Sequence, residues 1–400
     1  MTAVQKCLRR LLDQGERAWA RTGEPKASLL FSQASNPDYF GLGSFSEKQA
    51  YHAALLHAEH VGAIAVEWDM TAGHQNQVKR IRLRDGDSLA KLLEAVPRWL
   101  AIEETQRVCS SLMERFPILT AVIAAWREGR KPRGLHPCQV SLLVDAAKAI
   151  EYCERNAFQD VTVRRLSTRL GFDSKHLEAL APALDLLRAD RLDEPPTERE
   201  DLFAAMGIVK HPLPVLLAGP ALIRLAGNAV LNTPAPYVGL APNSIQQVEP
   251  AASCRRILSV ENLTTFHELT EARSPDTLLL YSNGMPSPSW RRFYDRALNG
   301  LPDSFQLIHW GDIDGGGFRI AAQIAGLCRA RGRNLNLHMM NPARHPKEHS
   351  WRVLEDQERV YMRRLAEVWG WEDELRGIEE QPLAYEQEAL DRLLPDGNIN

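Results

Sequence analysis

Between residues 255 and 340, short apolar runs alternate with amphipathic stretches of helical length, and this alternation restricts the fold more than any other feature of the chain. Strands that alternate with helices of these lengths predict a parallel sheet with crossover helices. The expected strands are RRILSVEN (255–262), TLLLYSNG (277–284), SFQLIHWGD (304–312) and NLNLHMM (334–340), and the expected helices are 263–272, 288–300 and 318–332.

Acidic residues end two of these strands. Glu261 ends the first strand, and Asp312 and Asp314 end the third. In a parallel α/β sheet, reactive groups gather at the carboxyl ends of the strands. Residues spaced i, i+2 on an extended chain point their side chains to one side, so both aspartates can reach one hard cation. We therefore expect a catalytic metal site at Glu261, Asp312 and Asp314. The expected ion is Mg²⁺ or Mn²⁺, because magnesium prefers carboxylates, water and substrate phosphates.

The sequence GDIDGGGF around the aspartates has other interpretations. Calcium-binding loops also contain Asp-x-Asp followed by glycine, but the third oxygen ligand and the final Glu of an EF-hand are missing here. The loop also lacks the Lys and the Ser or Thr of a P-loop. Gly315, Gly316 and Gly317 are expected to let a backbone or a phosphate approach closely. Asp314 is expected to face solvent and to contribute little to fold stability.

Residues 161–184 have the spacing of a helix-turn-helix. Apolar residues lie on one face of the first helix, a tight turn follows at 171–173, and the second helix begins at Ser174 with Asp173 or Ser174 as its N-cap. Such units bind DNA or serve as protein-interaction modules. Four basic side chains are free to point outward and meet phosphates, namely Arg164, Arg165, Arg169 and Lys175.

The rest of the chain suggests several domains. A helical pattern at 47–60 precedes two alternating segments, 62–69 and 78–85, that would pair as a hairpin. This order fits a winged helix or another small α+β domain. Residues 195–250 hold nine of the 24 prolines, so loops and short edge strands are expected there. The expected divisions are a helical, winged-helix-like region (1–130), a winged helix-turn-helix domain (131–194), a Pro-rich connection (195–250), the α/β domain (251–345) and acidic C-terminal helices (346–400).

Charge and composition restrict the partners. The formal net charge is −3, but residues 351–400 alone carry −7, with 6 basic and 13 acidic residues. A nucleic-acid partner is therefore compatible with the sequence, whereas a strongly basic DNA-coating protein is not. The six cysteines are scattered, which indicates neither a disulfide framework nor a cysteine zinc cluster. No apolar run is long enough for a signal peptide or a membrane span, so we expect a cytoplasmic protein without membrane contact.

The strand-end acids and their surroundings resemble a Toprim domain, the metal-binding fold of topoisomerases, primases and some nucleases. In that family a strand-end Glu, here Glu261 in ILSVEN, precedes an Asp-x-Asp, here Asp312 and Asp314. More specifically, SVEN, TLLLYSNG and SFQLIHWGDIDGGGFRI are similar to the nuclease subunit of Wadjet-type systems, a relative of the A subunit of type IIB topoisomerases. The likeness extends to HAEHVGAIAVEWD, FDSKHLE and LAYEQEAL.

This resemblance implies a multi-domain α/β protein in which winged-helix modules precede a Toprim domain and a helical C-terminal segment. It implies a Mg²⁺-dependent endonuclease that cuts double-stranded plasmid DNA as a homodimer, beside a condensin-like SMC complex. Glu261 would bind metal or act as general acid or base, while Asp312 and Asp314 would hold metal against the scissile phosphate. Arg319, in GGGFRI, is a further candidate for DNA contact.

One feature departs from the topoisomerase pattern. Those relatives cut DNA with a tyrosine that lies in a paired-tyrosine context after an arginine. In the corresponding region, roughly 135–190, this chain has only Tyr152, in IEYCERN and outside that context. Hydrolysis by a metal-activated water is therefore expected rather than covalent cleavage. The alternatives are a topoisomerase-like transesterase and a non-catalytic subunit that binds DNA and docks the complex.

Overall fold

A computed structural model describes residues 1–69, 77–156, 159–272 and 274–390 of the chain. The chain divides into two compact units. The first unit contains Met1–Val144 and Leu186–Arg188, and the second contains Asp145–Asp185 and the described residues from Ala189 onward. None of the described helices has the length and apolar composition needed to span a membrane.

The first unit packs helices against a small antiparallel sheet. The expected hairpin is confirmed, because β2 pairs with β3, and a third strand, β1, pairs with the other side of β3. The turn at 70–76 lies outside the described residues. Leu11, Leu55 and Ile81 are fully buried in the core of this unit. The strands are β1 (Ser28–Leu30), β2 (Ile64–Asp69) and β3 (Gln77–Leu83), and the helices are α1 (Ala3–Thr22), α2 (Pro37–Phe40), α3 (Phe45–His60), α4 (Gly86–Leu92), α5 (Arg98–Cys109) and α6 (Ile118–Arg127).

The helix-turn-helix is present as expected. Its helices are α8 (Val163–Leu170) and α9 (Ser174–Ala179). Gly171 ends α8 with a positive φ of 73°, which glycine adopts without strain. The Asp173 side chain caps α9 by accepting a hydrogen bond from the backbone N–H of His176 at 2.6 Å. The neighbouring elements are α7 (Val140–Arg155), β4 (Val161–Thr162), α10 (Ala181–Arg188), α11 (Arg199–Ala205) and β5 (Ile208–Val209).

A six-stranded sheet forms the centre of the second unit, and it is mixed rather than purely parallel. Its order is β14-β13-β11-β12-β6-β9, and the four strands expected from the sequence pair in parallel. These strands are β11 (Arg256–Val260), β12 (Thr277–Tyr281), β13 (Gln306–Trp310) and β14 (Asn336–Leu337), and the helices between them are α12 (Leu263–Ala272), α13 (Pro288–Leu298) and α14 (Gly315–Arg329). Every residue of β11 is buried, as in a strand covered on both faces.

The region 195–250 contributes to this sheet, although the sequence indicated a connection of loops and short edge strands. β6 (Val215–Ala218) pairs antiparallel with β12, and β9 (Val238–Leu240) pairs antiparallel with β6 at the edge. The prolines flank these strands instead of excluding them, which is where proline is tolerated in a sheet. Three further strands make a separate antiparallel sheet, namely β7 (Ala221–Leu225), β8 (Val230–Asn232) and β10 (Ile245–Pro250).

The C-terminal residues form two helices, as expected, and a short strand pair. α15 packs against α14 and against α16. The winged-helix and Toprim assignments stay predictions, whereas the mixed α/β class is confirmed. The elements are β15 (Arg352–Val353), α15 (Asp356–Trp369), α16 (Glu372–Glu380) and β16 (Leu383–Ala384).

Candidate acidic site at the sheet edge

The ends of β11 and β13 bring the predicted acids together. These strands pair in register, with Val260 opposite Trp310. Beyond this pair, the Glu261 N–H donates to the Trp310 carbonyl at 3.1 Å. The Glu261 carboxylate in turn accepts a hydrogen bond from the backbone N–H of Asp312 at 3.2 Å. Glu261, Asp312 and Asp314 line one cavity of about 270 Å³. The structure therefore confirms that these side chains share a site.

Asp312 and Asp314 have the extended spacing that the sequence indicated. Both line the cavity, while Ile313 between them is fully buried. Asp314 also has a structural role that the sequence analysis missed. Its Oδ1 accepts a hydrogen bond from the Gly317 N–H at 2.8 Å and caps α14. α14 consequently begins at Gly315 and not at 318. The expectation that Asp314 contributes little to fold stability stays a prediction, and this cap is a contribution that it left out.

The three glycines serve close packing within the chain. A Cβ atom on Gly317 would lie 2.1 Å from the Asp312 carbonyl oxygen, and one on Gly315 would lie 3.1 Å from Cγ of Glu358. The Gly315 N–H donates to Oε1 of Glu358 at 2.9 Å. Two backbone donors at the start of α14 are thus already bonded, one to Asp314 and one to Glu358. The sequence predicts that a backbone or a phosphate approaches these glycines closely, and the structure shows the approach of a backbone at Gly317.

Gly311 makes room for the Glu261 carboxylate. A Cβ atom at this position would lie 2.5 Å from Oε2 of Glu261 and 3.0 Å from Nε2 of His309. His309 is fully buried, and its Nδ1 is 2.9 Å from Oγ of Ser259. Its Nε2 has no hydrogen-bond partner among the described residues. Burial lowers the pKa of His309 to about 3, so the imidazole beside Glu261 is neutral.

Burial and the repulsion between neighbouring carboxylates disfavour the charged forms of Glu261 and Asp312. Desolvation, followed by the charges of Asp312 and Asp314, raises the pKa of Glu261 well above its ordinary value. Desolvation also raises the pKa of Asp312 to about 6, with a further contribution from Asp314, although a hydrogen bond from the Gln387 N–H opposes the shift. Asp201, on α11, lines the same cavity, and burial raises its pKa as well. A bound cation would relieve this repulsion.

The arginines of the cavity wall are bonded to other partners. Arg319 donates from Nε to the Tyr361 hydroxyl at 3.1 Å and from Nη2 to the Pro195 carbonyl at 2.8 Å. Arg352 donates from Nη2 to Oε1 of Glu358 at 2.7 Å. Within the described part of the chain, neither arginine hydrogen-bonds to the three predicted acids. The predicted DNA contact of Arg319 stays a prediction, and the structure places this residue in the cavity wall.

The donor set fits a hard divalent cation in its chemistry. The cavity offers carboxylate oxygens without a thiolate or an imidazole among its lining residues. Across the described ranges, no three His, Cys, Asp or Glu side chains are close enough to hold an ion by themselves. Magnesium is typically bound by one or two carboxylates and is completed by water and substrate phosphates. These acids therefore suit a partly open Mg²⁺ or Mn²⁺ site better than a closed protein cage.

Several residues of this site were missed by sequence reasoning. Some come from α11 and the residue before it, in the region that the sequence analysis assigned to a connection. The others come from the C-terminal segment, which the sequence analysis assigned to acidic helices. The segment LAYEQEAL (383–390) was identified only through its resemblance to the Wadjet-type family, because no local sequence pattern places it near the strand ends. The missed residues are Glu198, Asp201, Arg352, Glu358 and Gln387.

The predicted DNA-contacting residues of the helix-turn-helix are all exposed. None of them forms an ion pair with a described residue, and none lines the acidic cavity. The structure therefore leaves these cationic groups accessible to a polyanion, while it assigns no ligand to them. They are Arg164, Arg165 and Arg169 on α8 and Lys175 on α9.

Comparisons with known proteins identify one region of the chain. In the comparison with curated proteins, none matches the chain. Residues 218–394 match the family model described as "Wadjet protein JetD, C-terminal". The matched region begins in β6 and includes β11, β13 and all three predicted acids, whereas Glu198 and Asp201 precede it. The segment that carries the strand-end acids is therefore similar to the C-terminal region of Wadjet protein JetD.

Proposed function

We propose that this protein is the metal-dependent DNA endonuclease of a Wadjet-type plasmid-defence complex. The observation that carries the proposal is the convergence of Glu261, Asp312 and Asp314 at the ends of adjacent strands. Glu261 and Asp312 have raised pKa values and no basic hydrogen-bond partner among the described residues, and partly buried carboxylates of this kind are characteristic of functional sites. The family match over the same residues supports the Wadjet assignment, and the Toprim-type site rests on the resemblance of the sequence motifs.

In this proposal the protein's own groups position the scissile phosphate. Asp312 and Asp314 would hold Mg²⁺ or Mn²⁺, with Glu261 as a further ligand or as the general acid or base. When bound, the cation would neutralise phosphate charge and lower the pKa of water. The raised pKa of Glu261 lets this carboxyl hold a proton closer to neutral pH, as a general acid requires. Arg319 and Arg352 in the wall suit an anionic substrate.

The partners in the proposal are double-stranded DNA and a condensin-like SMC complex. The exposed cations on α8 and α9 supply a grip on DNA phosphates that does not depend on base sequence. The SMC partner and a homodimeric working form rest on the likeness to Wadjet systems. A homodimer would provide two cavities, one for each DNA strand.

A plasmid-nicking assay tests the proposal. The full chain, alone and with its SMC partner complex, is incubated with supercoiled plasmid and Mg²⁺ or Mn²⁺. We expect nicking that EDTA stops and that Glu261→Gln and Asp312→Asn each reduce by at least about a hundredfold. Glu348→Gln, at an exposed glutamate outside the cavity, is the matched control and should cut normally. Nicking that survives both cavity substitutions would rule out this site.

A second candidate is a subunit that binds and docks DNA without cutting it. It is favoured by the observation that, in the described part of the chain, no three potential ligands hold an ion by themselves. Under this alternative, plasmid would bind through the helix-turn-helix but stay supercoiled with Mg²⁺, Mn²⁺ and the SMC complex all present.

A further inference from the structure

The segment Leu383–Leu390, here named the C-terminal strap, lies against the loop that carries both aspartates. The Ile313 N–H donates to the Tyr385 carbonyl at 2.8 Å, and the Tyr385 N–H donates to the Ile313 carbonyl at 3.2 Å. Ile313 lies between Asp312 and Asp314, so this antiparallel bridge fixes the backbone from which both carboxylates project. The strap thus supports the acidic site from a distant part of the sequence.

Gln387 connects this strap to three points of the site. Its side chain donates from Nε2 to the Trp310 carbonyl at 3.1 Å and accepts at Oε1 from the Asn262 N–H at 2.9 Å. Its backbone N–H donates to Oδ1 of Asp312 at 2.7 Å. Gln387 itself is only 1% exposed. One buried residue therefore bonds to the ends of both acid-bearing strands and to one of the acids.

The Gln387 side-chain amide forms hydrogen bonds to both chains just beyond the last backbone pair of β11 and β13. The parallel pairing of β11 and β13 ends at Val260 and Trp310, and the Glu261 N–H makes one more bond to the Trp310 carbonyl. Beyond that point the next contact between the two chains is the hydrogen bond from the Asp312 N–H to the Glu261 side chain. The Gln387 amide donates to one chain and accepts from the other, as a peptide group would. This bridge links the Asn262 N–H, one residue after Glu261, to the Trp310 carbonyl, two residues before Asp312.

The third contact of Gln387 orients the Asp312 carboxylate. The Gln387 N–H occupies Oδ1. Among the described residues, the hydrogen bond to the Asp312 carboxylate comes from this N–H and is made to Oδ1. This arrangement favours Oδ2 as the atom that faces an incoming ligand. Outer groups of this kind orient metal ligands in proteins, and their loss typically weakens metal binding by about 10–100-fold.

We propose that Gln387 is a positioning residue that sets the affinity of the Glu261–Asp312–Asp314 site for a divalent cation. The inference rests on the proposed function, because it takes these acids as metal ligands. Gln387 orients Asp312 and spaces the two strand ends, and it does not act on the substrate.

The test compares two buried glutamines in the full-length protein. Gln387→Met keeps the length of the side chain and the backbone N–H bond to Asp312, and it removes both amide hydrogen bonds, so it tests whether the amide bridge between the strand ends sets the affinity. Gln381→Met is the matched control, because the Gln381 amide also contacts the strap, at the Tyr385 hydroxyl, but bonds to no predicted acid. Its other bonds are donated to the carbonyls of Pro342 and His345. Mn²⁺ binding is measured by the electron paramagnetic resonance signal of free Mn²⁺, and stability by thermal melting. We expect about a tenfold or greater loss of Mn²⁺ affinity in Gln387→Met alone, although both variants melt at lower temperature.

Nicking kinetics add a second readout. In Gln387→Met the Mn²⁺ concentration for half-maximal nicking should rise, while the rate at saturating Mn²⁺ should change less. If this variant fails to fold, Gln387→Asn keeps the amide on a shorter side chain and should bind Mn²⁺ with intermediate affinity. Wild-type Mn²⁺ affinity in whichever variant folds would overturn the inference about Gln387.

Failure of the proposed function has a different signature. Asp312→Asn is measured beside the glutamine variants. If the wild type binds Mn²⁺ and Asp312→Asn does not, the metal site is supported. The Mn²⁺ affinity of Gln387→Met is then compared with the affinities of these two proteins. If the wild type binds no Mn²⁺, or if Asp312→Asn binds it equally well, the metal-site proposal fails and the inference fails with it.

Discussion

The helix-turn-helix and the acidic site differ in how the chain builds them. The turn between α8 and α9 is made by neighbours in sequence, with Gly171 ending one helix and Asp173 capping the next. The acidic site takes side chains from α11, the ends of β11 and β13, and the C-terminal strap. The first therefore depends on local conformational preferences, and the second depends on correct packing of distant segments.

The two regions also differ in the solvent exposure of their charged groups. The cations of α8 and α9 are exposed and solvated, so their attraction to phosphate is long-ranged and screened by salt. The acids of the cavity are partly buried, and desolvation raises the pKa of Glu261 and of Asp312. Substitutions at the cavity should thus change chemistry sharply, whereas substitutions at the helix-turn-helix should change binding gradually.

The largest expected effect separates the two roles of Asp314. Asp314→Asn keeps an N-cap for α14, because asparagine caps helices as well as aspartate does, but it removes the negative charge. We expect at least about a hundredfold loss of metal-dependent nicking with little change in stability. Asp314→Ala should lose the same activity and also about 1 kcal/mol of stability. Plasmid nicking and thermal melting measure the two effects, and full activity in Asp314→Asn would reduce Asp314 to a cap alone.

A smaller effect is expected when the charges of the helix-turn-helix are reversed. Arg164→Glu combined with Lys175→Glu should weaken binding to every duplex by about tenfold or more. It should also lower the slope of log affinity against log salt by about 1.8, at roughly 0.9 for each phosphate that the protein no longer neutralises. Fluorescence anisotropy over a salt series measures both quantities. Arg107→Glu, at an exposed arginine on α5, is the control. The Mn²⁺ dependence of nicking should not change in the double variant. Unchanged DNA affinity in this variant would show that the DNA-binding surface lies elsewhere.

The pH dependence of stability should be moderate and should come from the cavity. The pKa of Asp312 is about 6 in the folded protein, above its ordinary value of 3.8, so the folded state binds this proton more tightly than the unfolded state. The contribution of Asp312 to stability is therefore present at low pH and is lost as the pH rises through 6. In EDTA, wild type should gain more in melting temperature than Asp312→Asn between pH 7.5 and 5.5. Identical profiles for the two proteins would contradict the raised pKa.

The smallest expected effect is at Tyr152. This residue lies on α7, and its carbonyl accepts a hydrogen bond from the side chain of Asn156 at 2.8 Å. If water attacks the phosphate, Tyr152→Phe should cut at the wild-type rate and no protein should stay attached to the DNA ends. A denaturing gel of the cleaved plasmid checks this point. A covalent adduct that Tyr152→Phe removes would favour the topoisomerase-like alternative.

The local elements of the fold could be predicted from the sequence where periodicity and caps act over a few residues. The helix at 263–272, the parallel strands after it and the turn at 171–173 follow from such signals. The sequence pattern predicts that α14 starts at 318, because consecutive glycines are typical of a loop. The structure begins this helix at Gly315, since Asp314 caps it and Gly317 fits against the Asp312 backbone.

The sequence alone determined which carboxylates meet, because the ends of adjacent parallel strands must lie at one edge of a sheet. Only the tertiary structure decided what surrounds them. β6 joined the sheet through pairing with β12, and Asp201 and Gln387 reached the site from segments that precede and follow the acid-bearing strands in sequence. These contacts depend on complementary shape and hydrogen bonding between distant segments, and no short stretch of sequence contains both partners.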